Sequence, residues 1–313
     1  GNNVVLGDSG QADFEAGILV EIASISPEVG DRDAIAVGSG RNAVIGGAGG
    51  DVITAGIRNG AKVGTGTNVI IGDAGHARFT AAGLPTLVET TYDNVGGDDT
   101  ISVGDGVAVI LGGSGGDTIT AGNGRSTVLG DNGQATFDAQ GRVLQAATTA
   151  ATAGLRDLIT LGDGGSVVIG GVGADEIRTG SGADVILGDD GLATFAQGVL
   201  VRAATKNESV AGDDTIRAGD GDNVVLGGSG NDTITTGIGA DIVFGDNGAV
   251  DFLNGVRLEA LSERAGGGGR DVIVTGAGAD LVVGGLGADL IDAGKNDADD
   301  DIVFGDNGHV TFD

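Results

Sequence analysis

The sequence predicts an all-β chain wound as a parallel β-solenoid of about 18 residues per coil, with a β-hairpin inserted into each super-repeat of about 60 residues. Three observations predict it. Glycine supplies 66 of 313 residues, yet only two are Pro and no glycine-every-third pattern is present, which excludes collagen. One apolar residue recurs every nine positions, which a flexible linker would not show. A phrase Gly-Asp-x-Gly-x-x-x-Phe returns six times along the chain.

The nine-residue unit is clearest in "GGSGGDTIT". With Gly112 at position one, Asp117 stands at six and Ile119 at eight. Position eight can be followed from Val5 to Phe312 through 27 residues, all Ile, Val or Phe, the types that favour strands. Six of the eight Phe fall there. So short a unit has room for a three- or four-residue strand and a glycine turn, but not for a helix with its loop. Two units close one coil, and successive coils pair at about 4.8 Å. Position eight is expected to point inward, Ile on Val on Phe, as one apolar row per wall. Positions seven and nine, often Thr, are expected to face out.

The longer period follows from "GDSGQADF", "GDAGHARF", "GDNGQATF", "GDDGLATF", "GDNGAVDF" and "GDNGHVTF", which begin at Gly7, Gly72, Gly130, Gly188, Gly245 and Gly305. After each of the first five Phe, apolar residues flank a short turn containing Gly17, Gly83, Gly141, Gly198 or Gly255, the pattern of a β-hairpin. Residues 1–313 thus read as a single continuous solenoid with super-repeats 7–71, 72–129, 130–187, 188–244 and 245–304 and a partial one at 305–313. If the second hairpin strand counts as a further half-coil, each super-repeat holds three coils, giving about 16 coils and a rod on the order of 75 Å. Two irregular stretches, Gly56–Gly66 and Asp292–Asp300, are expected to bulge without breaking the stack.

Composition bounds the partners. Forty-five acidic residues face 16 Lys and Arg, a formal charge of -29. Such a chain repels nucleic acid and anionic membrane surfaces and attracts cations. No apolar run approaches the roughly 20 residues of a membrane span. Gly1 is not an initiator Met and no signal-like segment follows it, so a mature or excised piece is expected. Without cysteine, no disulfide holds the glycine-rich chain.

Position six carries the candidate chemistry. Asp33 and Asp51, Asp99 and Asp117, Asp157 and Asp175, Asp214 and Asp232, and Asp271 and Asp289 form five pairs, each 18 residues apart. One coil separates the members of a pair, so their carboxylates fall on the same edge in adjacent layers, where they would repel each other if bare. Calcium between them would find hard oxygen ligands, with glycine-turn carbonyls completing six or seven positions at about 2.3–2.6 Å. Seven of the eight Glu lie in the hairpin segments, so the turns select the shorter acid.

"GGSGGDTIT", "GGSGNDTIT" and "GGLGADLID" resemble the Gly-Gly-x-Gly-x-Asp-x-apolar-x nonapeptide of RTX proteins, the hemolysin-type calcium-binding repeats. The motif is specific in tandem and covers the chain apart from the hairpin segments. The resemblance implies a parallel β-roll that folds on binding multiple Ca²⁺, commonly after type I secretion, and implies that the paired position-six Asp are ligands. On the opposite edge Asp184, Asp241, Asp280 and Asp301 fit, whereas Asn42, Ala108, Ser126, Ser166 and Asn223 do not, so calcium there is expected to be patchier. The Gly-Asp-x-Gly phrase departs from the pattern and puts Asp8, Asp73, Asp131, Asp189, Asp246 and Asp306 at position two, as secondary ligands or as turn-shaping residues. Asp105, Asp163 and Asp220 are further secondary candidates.

No enzyme is expected. His76 and His309 share a position that also holds Gln11, Gln134, Leu192 and Ala249, so it reads as surface. No Gly-x-Ser-x-Gly stands on a strand-to-helix turn. The expected function is a calcium-stiffened structural rod at the cell surface or outside the cell, such as an adhesin, surface-layer or matrix-filament component. Partners are calcium ions and either flanking repeats or further copies stacked head to tail. Two rival readings are a ligand- or ice-binding adhesion module, because Thr118, Thr120, Thr233 and Thr235 line an outer face, and a secretion or folding tail of an RTX enzyme or toxin.

Overall fold

Each coil is made by a strand, a glycine turn, a second strand and a second turn. The computed structural model describes residues 1–58, 60–62, 66–149, 154–206, 212–262, 268–294 and 298–312. Its described residues form no α-helix. The first strands of successive coils, among them Val107–Leu111, Ser126–Leu129, Val167–Ile169 and Val185–Leu187, pair in parallel as an 11-stranded central sheet. The second strands, among them Thr118–Thr120, Leu158–Thr160 and Glu176–Arg178, build a parallel ten-stranded sheet on the opposite wall. Register follows the repeat: Ile119 sits between Ile101 and Ile159, and Val128 between Ile110 and Val168.

The hairpins do not add coils. Each leaves the central sheet through a Gly-Asp-x-Gly turn, and its two strands lie over the sheet's outer face. All five hairpins pair edge to edge, with Gly248–Leu253 and Val256–Ser262 followed by a last strand, His309–Thr311, in a third, antiparallel sheet of 11 strands. Each super-repeat therefore holds two coils, one of about 18 residues and one lengthened by the hairpin, as the steps Ala108↔Ser126 and Thr127↔Val167 show. Ten strand steps make a stack of about 48 Å, shorter than expected from a three-coil count. The two hairpin strands match two coils because every strand step has the same width, so the third sheet stays in phase along the rod.

Two apolar cores result. Between the parallel sheets, Ile53, Ile70, Ile101, Ile110, Ile119 and Val128 lie fully buried in facing rows. The central sheet's other face is apolar too: Leu111, Leu129, Ile169, Leu187, Leu226 and Phe244 pack beneath the hairpins. Positions seven and nine therefore face inward on this sheet and outward only on the ten-stranded one. Five of the six position-eight Phe belong to the hairpin strands, and Phe312 directly follows the last strand of the same sheet. Phe137 is buried in the second core and Phe79, Phe195, Phe252 and Phe312 pack at its margin, while Phe14 is 55% exposed. One apolar row per wall holds for the ten-stranded sheet. The central sheet is covered on both faces and reads as unbroken runs such as "VIL" and "VVL".

The hairpin sheet is wedged open by its own side chains. Small Ala77, Ala135, Ala146, Ala193 and Ala203 lie next to the turns that join the layers, and large Phe137, Phe195 and Leu200 lie farther out. Three hairpins close in two-residue turns with positive φ at Ala16 and Gly17, Gln197 and Gly198, and Asn254 and Gly255, the type that matches strand twist. Every hairpin carries a one-residue bulge at the same place: Val20, Thr86, Leu144, Val201 and Leu258 lack a partner opposite.

Both irregular stretches leave the stack intact. The described part of the first is a small antiparallel pair, Ile57–Arg58 with Ala61–Lys62, and Asn42 still registers with Asn68 across it. The second falls partly outside the described residues, and Leu281 registers with Ile302 across it.

Replacing Ile186, fully buried between the parallel sheets, with Ala is expected to cost about 2–5 kcal/mol of stability in calcium. Leu253→Ala, at a position 60% exposed, is expected to stay within about 0.5 kcal/mol. Urea denaturation followed by circular dichroism compares them.

Candidate metal centre

The turn that enters the ten-stranded sheet is short because glycine adopts angles other residues avoid. In "GGSGGD" Gly113 and Gly115 have φ of 117° and 135°. This turn delivers the position-six aspartate to the edge just before its strand, and the returning hairpin delivers it in alternate layers.

The aspartates then interlock. The Asp33 amide donates to Asp51 Oδ1 at 2.7 Å, and Asp51 to Asp99 Oδ1 at 2.6 Å. The amides of Asp99 and Asp117 donate onward to Asp117 and Asp157, both at 2.7 Å. The ladder continues through Asp175, Asp214, Asp232 and Asp271 to Asp289, where the last bond is 3.0 Å. The five sequence pairs are thus one column of ten residues: Asp117 and Asp157, 40 residues apart, are joined as closely as Asp99 and Asp117. In every member after Asp33, Oδ1 accepts the amide of the preceding layer. In nine of the ten, all but Asp33, Oδ2 is buried without a hydrogen-bond partner.

Those oxygens converge with backbone carbonyls beside position-one glycines. A Cβ added to Gly130 would lie 2.0 Å from Asp157 Oδ2 and 2.5 Å from Gly170 O, and one added to Gly112 would lie 2.2 Å from Asp117 Oδ2 and 2.1 Å from Gly130 O. The absent side chain is what lets carboxylate and carbonyl oxygens approach the same point. An all-oxygen donor set with a buried, unpartnered carboxylate oxygen per layer fits a hard divalent cation.

Burial dominates the electrostatics. It pushes the Asp99 carboxyl up to about 8 and Asp117 and Asp175 to about 7. Asp157, Asp214 and Asp232 are also raised far above the usual carboxylate range, first by burial, with neighbouring carboxylates adding to the shift. Backbone hydrogen bonds oppose the rise without cancelling it. A bare row of ionised carboxylates is thus unfavourable, and a proton or a cation must relieve it.

The position-two aspartates shape turns. Asp8 Oδ2 accepts the Ala48 amide at 2.6 Å, and Asp73, Asp131 and Asp189 accept those of Ser114, Val172 and Ser229 at 2.5 Å. Asp246 accepts from Leu286. Each holds the Gly-Gly-x-Gly turn of the next coil. Asp131 and Asp189 keep a second, buried oxygen without a partner, and burial raises both carboxyls to about 9. Asp306 is exposed in the last layer. Asp105, Asp163 and Asp220 lie on the opposite edge and accept the amides of Asn123, Ser181 and Ile238, one coil on.

The opposite edge holds a second, mixed ladder. Ser166 donates its amide to Asp184 Oδ1, Asp184 to Asn223, Asn223 to Asp241, Asp241 to Asp280 and Asp280 to Asp301. Toward the N-terminus the column is neutral. Asn3, Asn42 and Asn68 join through side-chain amides at 2.7 Å, followed by Ala108 and Ser126. Asn3 and Asn68 were not singled out from the sequence, although each stands two residues before a position-eight residue, Val5 or Ile70.

A family model described as RTX calcium-binding nonapeptide repeat (4 copies) matches residues 111–134, 160–192, 210–234, 218–249 and 265–297. The chain carries RTX repeats. No curated protein matches it. The RTX matches fall on coils and leave out the returning hairpin strands Val143–Thr148, Val199–Thr205 and Val256–Ser262. Residues before 111 are unmatched, yet their strands continue the same two parallel sheets as the RTX coils.

Gly130→Ala is expected to lower the melting temperature and weaken calcium binding, because backbone and carboxylate must both move. Gly38→Ala, with nothing within 4 Å, is expected to do neither. Calorimetry in calcium separates the two.

The raised carboxyls also set a pH dependence. Between the ordinary aspartate value and the raised ones, the metal-free fold holds more protons than the unfolded chain, so its stability falls as pH rises. Without calcium, ordered β-structure is expected to be greatest near pH 4 and to decline as pH passes through 6–9, with Asp51 at about 6 and Asp131 at about 9. Circular dichroism in chelator across that range measures it.

Proposed function

We propose that this chain is a calcium-stiffened structural rod, part of a secreted, extracellular protein, in which divalent ions clamp adjacent coils. The single observation supporting it is the edge column with nine buried, unpartnered carboxylate oxygens. Asp33, Asp51, Asp99, Asp117, Asp157, Asp175, Asp214, Asp232, Asp271 and Asp289 would hold the main row of ions, with glycine carbonyls beside them. Asp184, Asp241, Asp280 and Asp301 would hold a shorter row on the opposite edge. Bound calcium supplies the positive charge that the column lacks. The protein's own residues then do the rest: the amide ladder sets the carboxylate spacing, and the glycines keep the approach open.

The role is structural rather than catalytic. RTX proteins are typically exported by type I secretion, and millimolar extracellular calcium would let such a chain fold after export. Adhesin, surface-layer and matrix-filament roles all use a rod of this kind. In the last layer Leu290, Ile302 and Val303 are 58%, 42% and 47% exposed, whereas Ile273 and Val282 one layer inward are fully buried. A further layer, from flanking repeats or from a second copy stacked head to tail, would cover them. An ice-binding face is less well supported: Glu176 and Arg178 interrupt the threonine ranks, and Arg156 crosses to Glu176 at 2.7 Å.

The test is circular dichroism with calcium and with EGTA. Calcium is expected to produce the β-spectrum and chelation to abolish it at neutral pH. Asp157→Ala, in mid-column, is expected to raise the calcium needed for folding severalfold, and Asp105→Ala to leave it nearly unchanged. A full β-spectrum in EGTA at pH 7.5 would refute the proposal.

A further inference from the structure

The wedge between the central and hairpin sheets does not close along the side away from the Gly-Asp-x-Gly turns. It opens there as a trough of about 980 Å³, continued toward the N-terminus by one of about 440 Å³. One wall is the central sheet, with Val109, Val167, Val185, Val224 and Ile242. The other is the hairpin layer, with Phe137, Val143, Phe195, Leu200 and Phe252. Lining residues come from seven adjacent central strands, Thr67 through Ile242, so the trough runs about 29 Å along the rod. The main aspartate column, from Asp33 to Asp289, does not line it, whereas Ser166, Asp184 and Asn223 of the opposite-edge ladder stand at its rim.

Its mouth carries positive charge in a strongly acidic chain. Arg125 stands on the turn rim, Arg142 and Arg257 on the hairpin rim, and Arg41 over the smaller trough. Among the described residues Arg41, Arg125 and Arg257 form no ion pair, although acids outnumber bases 45 to 16. Arg257 instead reaches across the mouth to the Ala240 carbonyl at 2.6 Å. Arg142 pairs with Asp138 at 2.7 Å and also donates to the Gln197 carbonyl at the next hairpin tip. Two acids also line this mouth: Asp184 accepts the Ser166 amide at 2.7 Å through Oδ1, its Oδ2 being left to the opposite-edge ions, and Asp222 accepts the Ala240 amide at 2.8 Å.

We propose that this trough binds a free long-chain fatty acid, its hydrocarbon laid along the Val and Phe rows and its carboxylate at Arg125 or Arg257. A long trough whose two walls carry rows of Val, Leu and Phe, with polar and charged side chains also among its lining residues, suits an unbranched chain, which needs no hydrogen bonds from those rows. Guanidinium groups without carboxylate partners supply the charge-assisted end. A peptide strand would bring amides and carbonyls that the two sheet faces leave unpaired, because both walls are faces rather than edges.

The test uses the calcium-loaded chain of residues 1–313 and cis-parinaric acid as the probe. Saturable fluorescence gain is expected, reversed by oleate and unaffected by butyrate. Oleyl alcohol is expected to compete at least about tenfold more weakly than oleate, and the double variant R125Q/R257Q to lose a similar factor for oleate. Val143→Trp and Leu200→Trp fill the trough from separate strands, and either is expected to abolish binding. Circular dichroism in calcium checks each variant's fold, so failure of calcium-driven folding is read separately from failure of fatty-acid binding. The proposal is overturned if the folded wild type gives no saturable signal. It is equally overturned if a folded trough-filled variant binds as well as wild type, or if an apolar peptide displaces the probe while oleate does not.

Discussion

Parallel stacking puts like over like. A solenoid of constant coil length carries every side chain to the same place one layer on, about 4.8 Å away. For Ile119 above Ile101 this is favourable, because identical apolar shapes nest. For Asp117 above Asp99 it sets a charge beside a charge in a dry edge. The fold depends on how that repulsion is relieved. Amides of the preceding layer satisfy one oxygen of the nine carboxylates after Asp33, and the second oxygens of the same nine remain buried without a partner. The same periodicity that makes the core therefore makes the column of buried carboxylates, and neither can be shifted without the other.

The hairpin layer answers a different demand. A narrow roll has little interior, and glycine-rich turns contribute almost none. Covering the central sheet's outer face adds a second core that runs on that sheet from Ala43 to Val283, roughly doubling the apolar rows that hold each central strand. Position-two aspartates tie this layer in. Asp73 and Asp131 leave the turn that starts a hairpin and accept amides from the following coil's turn, so each insertion is fastened to the next layer. Alanines beside the joining turns and phenylalanines away from them give the layer its wedge shape, and the open side of that wedge is the apolar trough.

Much of this was legible in the chain. The nine-residue period of Ile, Val and Phe implied strands and tight turns, and the 18-residue spacing of Asp99 and Asp117 implied stacked carboxylates. Both are local arithmetic on a regular coil. The hairpins were legible from Gly17, Gly83, Gly141, Gly198 and Gly255, but not where they pack. Counting them as half-coils lengthened the rod, because a strand's sequence does not say which sheet it joins. Phe137 shares its phase with Ile119 yet lies in the other core. Asn68 was missed because an amide at position six carries no charge to attract notice, although its phase was in plain view.

Sequence alone determined the period, the strand positions and the aspartate at each coil entry, since each follows from residue type and spacing along one chain. Only the tertiary structure decided that five aspartate pairs form one column, that each super-repeat makes two coils, and that the hairpins close into a third sheet with an open flank. Those features join residues some 40 positions or more apart, and the distance between them is set by how inserted segments fold back, which no local pattern records.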